Sequence, residues 1–221
     1  MRRILSVVLI GLALIPGFGC KDSPLKGSVR LVVASPDFPP LELVLNDEAV
    51  HRLDGPGASA YGRVDAKSFA LAIREAGTTV PFYGLPVVVD RNADYTAFVA
   101  GDLAAPSVSW VKDDNEPAGG DLFKYRVYNG VKGDDKFDVY VIQRDDKFED
   151  ALPSVLGIPY ANRTAYLTRD PNRLRIIATL AGDDTPLAEI EFDATEDLVR
   201  TFLLVEDSSG EIEILALRDS G

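Results

Sequence analysis

Cysteine and histidine each occur once in this chain, and those scarcities exclude a good deal. With a single thiol no intrachain disulfide can form, so the fold must hold by core burial alone. A transition-metal centre usually takes several His or Cys ligands, and only His51 and Cys20 exist to supply them. A Ser-His-Asp arrangement would have to use His51, and no glycine-flanked nucleophile elbow surrounds any serine; His51 itself reads as a loop residue after Val50. Basic residues are few as well, 23 against 35 acidic, for a net charge of −12. A phosphate-binding surface needs clustered Lys and Arg, so nucleic acid is excluded as a partner. No apolar run is long enough to cross a bilayer, which takes about 20 residues.

What is present begins at the N-terminus. Arg2 and Arg3 precede an apolar run from Ile4 to Ile15, then Pro16-Gly17-Phe18-Gly19 and Cys20. A charged start, a short apolar stretch and small residues before the cut describe a cleaved export signal. A cysteine at the cleavage point resembles bacterial lipoprotein signals, in which the thiol takes a diacylglycerol and becomes the new N-terminus. The alternative is plain secretion with cleavage near Gly19, leaving a free thiol that invites wrong disulfides. Two or three acyl chains, at about 0.8 kcal/mol per buried methylene, would make attachment effectively permanent. Lys21 rather than Asp after the cysteine favours the outer membrane in a diderm host. Loss of Arg2 and Arg3 makes the −12 chain more acidic by two charges, to −14, so the lipid and not charge is expected to hold it at the membrane.

Past a polar tether, short β-rich segments follow one another: Val29 to Val33, Leu41 to Leu45, Ser68 to Ile73, Leu85 to Val89, Tyr95 to Ala100 and Ser107 to Val111. Turn signals such as Asn46-Asp47 and Asp54-Gly55-Pro56-Gly57 separate them. Many short strands with regular turns point to a sandwich or barrel. An acidic, Gly- and Pro-bearing stretch from Lys112 to Asp121 reads as a linker, and after it the pattern starts again. Arg30-Leu31-Val32-Val33-Ala34 aligns with Arg126-Val127-Tyr128-Asn129-Gly130, and Leu41 to Leu45 with Phe137 to Val141. Tyr95 to Val99 falls near Arg200 to Leu204, Tyr61 near Tyr160, and Asp113 meets Asp219. The chain reads as a tandem repeat of one β unit. The expected division is a signal over 1–19, lipidated cysteine and tether over 20–26, sandwiches over 27–113 and 122–219, and a linker over 114–121.

The first copy carries Arg30-Leu31-Val32-Val33-Ala34-Ser35-Pro36-Asp37, then Leu41-Glu42-Leu43, Tyr61-Gly62 and Asp94 to Gly101. An Arg-bearing first strand, a small-Ser-Pro bend and a strand with an acidic residue between apolar ones resemble the bacterial family known as domain of unknown function 4397. The second copy keeps Arg126 and Phe137-Asp138-Val139-Tyr140 but has Val131-Lys132 in place of Ser-Pro. The resemblance implies export, often as a lipoprotein, and tandem immunoglobulin-like β-sandwiches. It brings no catalytic residue.

Candidate chemistry is sparse. Asp90-Arg91-Asn92-Ala93-Asp94 has the spacing that opens a calcium loop, but Tyr95 and Gly101 stand where an EF-hand needs Gly and Glu. With Asp113 and Asp114 of the linker, Asp90, Asn92 and Asp94 are the candidate Ca²⁺ ligands, against the reading of solvated acidic turns. No other cofactor is expected. Tyr61, Phe82, Tyr83, Trp110, Tyr125 and Tyr128 could form a platform for a sugar or peptide, against the reading of strand-face packing. Phe82-Tyr83 after Pro81, read as a loop, is the candidate binding pair. Arg30 with Glu42, and Arg126 with Asp138, are candidates to pair across adjacent strands. The expectation is an all-β, non-catalytic, lipid-anchored envelope protein that presents a surface to an envelope protein or glycan partner. The alternatives are a glycan-binding or glycan-hydrolysing protein with a carboxylate pair, or a cation-stabilised spacer.

Overall fold

The computed structural model describes residues 25–220; Cys20 and the export signal lie outside the described residues. Nine strands form the N-terminal half: β1 (Lys26–Val33), β2 (Leu41–Leu45), β3 (Glu48–Leu53), β4 (Gly57–Ala58), β5 (Gly62–Asp65), β6 (Ser68–Glu75), β7 (Pro81–Val88), β8 (Asp94–Gly101) and β9 (Pro106–Asp113). Nine more form the C-terminal half: β10 (Phe123–Asn129), β11 (Phe137–Gln143), β12 (Val155–Ile158), β13 (Asn162–Arg163), β14 (Leu167–Arg169), β15 (Arg173–Leu180), β16 (Ala188–Asp193), β17 (Val199–Glu206) and β18 (Ile212–Ser220). The fold is all-β, with one short 3₁₀ turn among the described residues, at Phe148–Asp150. β1 begins at Lys26, which pairs with Asp65, so the last residue of the expected tether is already part of a sheet.

Each half holds two sheets with the same strand order. In the N-terminal half β1 lies between β4/β5 and β8, with β9 outside, and the second sheet runs β3-β2-β6-β7. The C-terminal half repeats this as β13/β14-β10-β17-β18 and β12-β11-β15-β16. In both, the first strand runs parallel to the penultimate one, with Arg30 opposite Thr96 and Arg126 opposite Thr201. Alternation supplies the cores. Val29, Leu31 and Val33 of β1 face Leu41, Leu43 and Leu45 of β2, as Tyr125 and Val127 face Val139 and Val141. The Asn46-Asp47 turn closes β2 onto β3 with both residues at positive φ, the tight hairpin geometry that Asn and Asp tolerate.

The two halves are packed together. Val32, Phe98, Ala100 and Val111 on the other face of the first sheet meet Tyr128, Leu203, Val205 and Leu217 on the third. The result is a stack of four sheets with three apolar layers, in which the two middle sheets are buried on both faces. That explains why β1 and β8 read as nearly unbroken apolar runs rather than a polar-apolar alternation.

Several sequence expectations are corrected by this arrangement. Phe82 and Tyr83 sit within β7 rather than a loop and pack against the first core, with Phe82 stacked on Phe38 at 6.0 Å. His51 lies in β3, not in a loop. Its Nε2 donates to the Val29 carbonyl at 2.8 Å, which stitches the second sheet to the first. Arg30 and Glu42 stand in different sheets and cannot pair across a ladder; Glu42 instead accepts from Arg74 of β6 at 2.8 Å. Asp138 does not reach Arg126 but accepts from the backbone N–H groups of Gly157 and Gly182, at 2.6 and 3.0 Å.

Candidate functional site

A cluster of buried charged groups gathers between the two middle sheets. Strand register puts Arg30 on β1 and Arg126 on β10 pointing away from their own cores. Asp113 ends β9 and Asp219 is the last residue but one of β18, the last strands of each half. Each arginine crosses to the aspartate of the other half. Arg30 donates to Asp219 at 2.6 Å and Arg126 to Asp113 at 2.7 Å, and all four side chains are at most 2 % exposed. Each arginine also donates through Nε to the threonine opposite it, Thr96 at 2.8 Å and Thr201 at 2.9 Å.

The remaining carboxylate oxygens are satisfied from within the same half. Asp113 accepts from Thr96 at 2.5 Å and Tyr61 at 2.8 Å; Asp219 accepts from Thr201 at 2.6 Å and Tyr166 at 3.0 Å. The guanidiniums lie over the same two rings, Arg30 at 4.5 Å from the Tyr61 centroid and Arg126 at 4.7 Å from that of Tyr166. The repeat counterpart of Tyr61 is therefore Tyr166 and not Tyr160, a shift caused by the longer loops of the second copy. Burial on its own would lower the Arg30 pKa, but the carboxylates of Asp219 and Asp113 around it raise it above its ordinary value. Burial likewise pushes the Tyr61 and Tyr166 hydroxyls up, so at neutral pH they are donors and not acids.

This site was only half legible in the sequence. The repeat alignment matched Arg30 to Arg126 and Asp113 to Asp219, but nothing local says that a pair forms between copies. The signal that points to it is an arginine inside an otherwise unbroken apolar strand, which requires a buried partner.

Four of the five candidate cation ligands do share one cleft, of about 770 Å³, between the 91–94 loop and the 112–117 segment. Asn92, Asp94, Asp113 and Asp114 line it, with Arg91 and Lys112 among them. Their carboxylates already have partners. Asp94 accepts from Asn115 at 3.1 Å, Asp114 pairs with Lys124 at 2.7 Å, and Asp113 serves Arg126. Asp90 is outside this lining, held by Lys112 and Tyr95, whose hydrogen bonds lower its pKa. Among the described residues no three His, Cys, Asp or Glu side chains converge as a metal site. The six aromatic candidates are dispersed: Trp110 stacks on Tyr95 at 5.0 Å, Tyr125 packs in the second core and Tyr128 stacks on Phe98 between the halves.

A family model described as domain of unknown function (DUF4397) matches residues 27–140, just over half of the chain. The chain belongs to that family. The DUF4397 match includes Arg30, Asp113 and Arg126, and runs through β10 into β11. No curated protein matches the sequence. Among solved structures, the chain is similar to the carbohydrate-binding module CBMbc (family CBM26) of Eubacterium rectale Amy13K, crystallised in complex with maltoheptaose. Identity is 10 %, with 89 % of this chain and 98 % of that one covered, and the TM-score is 0.26. A likeness of that size carries no argument about a ligand.

Proposed function

We propose that this DUF4397 protein is a non-catalytic, lipid-anchored component of the bacterial envelope, held at the outer membrane through Cys20. Its two β-sandwich domains, 27–113 and 122–219 joined by 114–121, act as one rigid body that presents a surface to an envelope protein or glycan. One observation carries the non-catalytic part. The most deeply buried carboxylates, Asp113, Asp138 and Asp219, all terminate on cations, hydroxyls or amides of the protein's own fold. An enzyme working with a carboxylate pair would hold two such groups facing a cleft, with at least one free to take up a proton. The anchor rests on the basic start, short apolar run and lone cysteine of the N-terminus.

Thermal unfolding screened against Ca²⁺, a chelator, cell-wall fragments and oligosaccharides tests the surface. A ligand at a hundred times its dissociation constant adds about 2.7 kcal/mol, a readable shift. A shift with an oligosaccharide that is hydrolysed during the assay would sink the non-catalytic reading; a shift without turnover supports it. A Ca²⁺-dependent shift would favour the cation-stabilised spacer, with the 91–94 cleft as its place. Labelling of cells with an alkyne fatty acid tests the anchor, which requires that Cys20→Ser lose the label.

A further inference from the structure

Ala34 and Gly130 hold the same position in the two copies, four residues after Arg30 and Arg126. Their N–H groups donate to equivalent carbonyls, Val99 at 2.8 Å and Leu204 at 2.9 Å. They also meet each other where the two middle sheets cross. A Cβ built on Gly130 would stand 2.5 Å from the Ala34 methyl and 2.6 Å from its carbonyl oxygen. The crossing has room for one methyl group, and the first copy supplies it.

The neighbouring layer is lopsided in the same sense. Phe98 stacks on Tyr128 at 4.4 Å, while their repeat counterparts Leu203 and Val32 fill the same apolar layer with smaller side chains. Two N-terminal halves brought together on this face would set Ala34 against Ala34 and lose the stack. Two C-terminal halves would set Gly130 against Gly130 and leave a void. The Arg–Asp exchange makes no such distinction, since each half carries both an arginine and the aspartate that receives one. Charge therefore makes the face self-complementary, and packing makes it choose the unlike half.

We propose that this face is an assembly surface whose fitting partner is the opposite half of a second copy of this chain. Two chains that open and re-pair reciprocally remake the contacts between the middle sheets; the 114–121 segment, exposed apart from half-buried Asn115, changes its path. In dilute solution the closed chain prevails, because a short tether holds the halves at an effective concentration on the order of millimolar. Exchange takes over as chain density approaches that value, or when the closed form alone is penalised.

A complementing pair of full-length variants tests this. In Asp113→Arg, Arg126 faces a like charge; in Arg126→Asp, Asp113 does. Closed, each chain has one broken crossing. Exchanged between the two variants, one interface is fully native and the other carries the same pair with its charges inverted. Each variant alone, and the equimolar mixture, are refolded from denaturant at micromolar concentration and sized by light scattering. The proposal expects monomers or unfolded chains from each variant alone and a 1:1 dimer with cooperative unfolding from the mixture. A mixture with no dimer overturns it even if neither variant folds alone, because the native interface is available only by exchange. A homodimer of either variant overturns the choice of unlike halves: two Asp113→Arg chains regain Arg–Asp crossings on both sides of one interface only by joining their C-terminal halves, and two Arg126→Asp chains only by joining their N-terminal halves. As a check on the packing argument, Gly130→Ala lowers the denaturation midpoint of the closed chain and Ala34→Gly added to it restores most of the loss; no restoration overturns the one-methyl crossing.

Discussion

Arg30 in the first strand and Asp219 in the last are 189 residues apart in sequence and 2.6 Å apart in space, with both side chains fully buried. The pair closes the chain on itself. A buried ion pair is a weak source of net stability, because desolvation offsets much of the attraction, yet breaking one member is costly. Asp219→Ala strands Arg30 and removes the acceptor of Thr201 and Tyr166. The expected loss is about 3–5 kcal/mol by urea denaturation. Arg30→Met added to it should recover part of the loss; a double variant as unstable as the sum of the singles would show that the pair does not act as a unit.

Phe98 and Tyr128 test the apolar contact between the halves separately from the charges. Phe98 is fully buried and Tyr128 is 1 % exposed. Phe98→Ala should cost about 3–5 kcal/mol, and a double-mutant cycle with Tyr128→Leu should return a coupling of about 0.5–1.5 kcal/mol. A coupling near zero would mean that the stack contributes only its area.

His51 makes the stability pH-dependent in a defined direction. Its half-buried ring is held below the ordinary imidazole pKa of 6.5 by desolvation, against the opposing bond to Val29. The unfolded chain therefore takes up the proton first, so the contribution is complete above pH 6.5 and declines as pH falls through the folded-state pKa. His51→Gln, which keeps a donor for the Val29 carbonyl, should flatten the stability profile on the acid side of the ordinary imidazole pKa of 6.5. An unchanged slope in that window would assign the titration elsewhere.

Asp138 is a carboxylate used as a clamp. It gathers the N–H groups of Gly157, on the β12 edge strand, and Gly182, in the β15–β16 turn. Asp138→Ala leaves two backbone donors without their acceptor, and about 1–3 kcal/mol should be lost. Hydrogen exchange at Gly157 and Gly182 should speed up well before exchange in β10 or β17; uniform acceleration would mean that the whole half had been weakened.

The sequence by itself determined most of the long strands, the Asn46-Asp47 turn and the repeat, because these are written locally; β3, read as the loop around His51, and the start of β7 escaped it. Leu41-Glu42-Leu43 states which side chains go inside, Asn46-Asp47 states where the chain reverses, and Arg30 and Arg126 mark the same place twice. It also determined that the fold is all-β without any disulfide. What it could not state is which surface comes to lie against which. Glu42 and Asp219 are equally acidic, and only the stacking of the middle sheets decides that Arg30 reaches the second. Tyr160 and Tyr166 are equally aromatic, and only the course of the longer loops puts Tyr166 over Arg126. Phe82 and Tyr83 follow a proline like loop residues, yet β6 offers a ladder that takes them in. Alternation along a strand records that a face is buried; the identity of the neighbour is a property of two distant segments, settled when Val32, Phe98, Tyr128 and Leu203 close the middle layer.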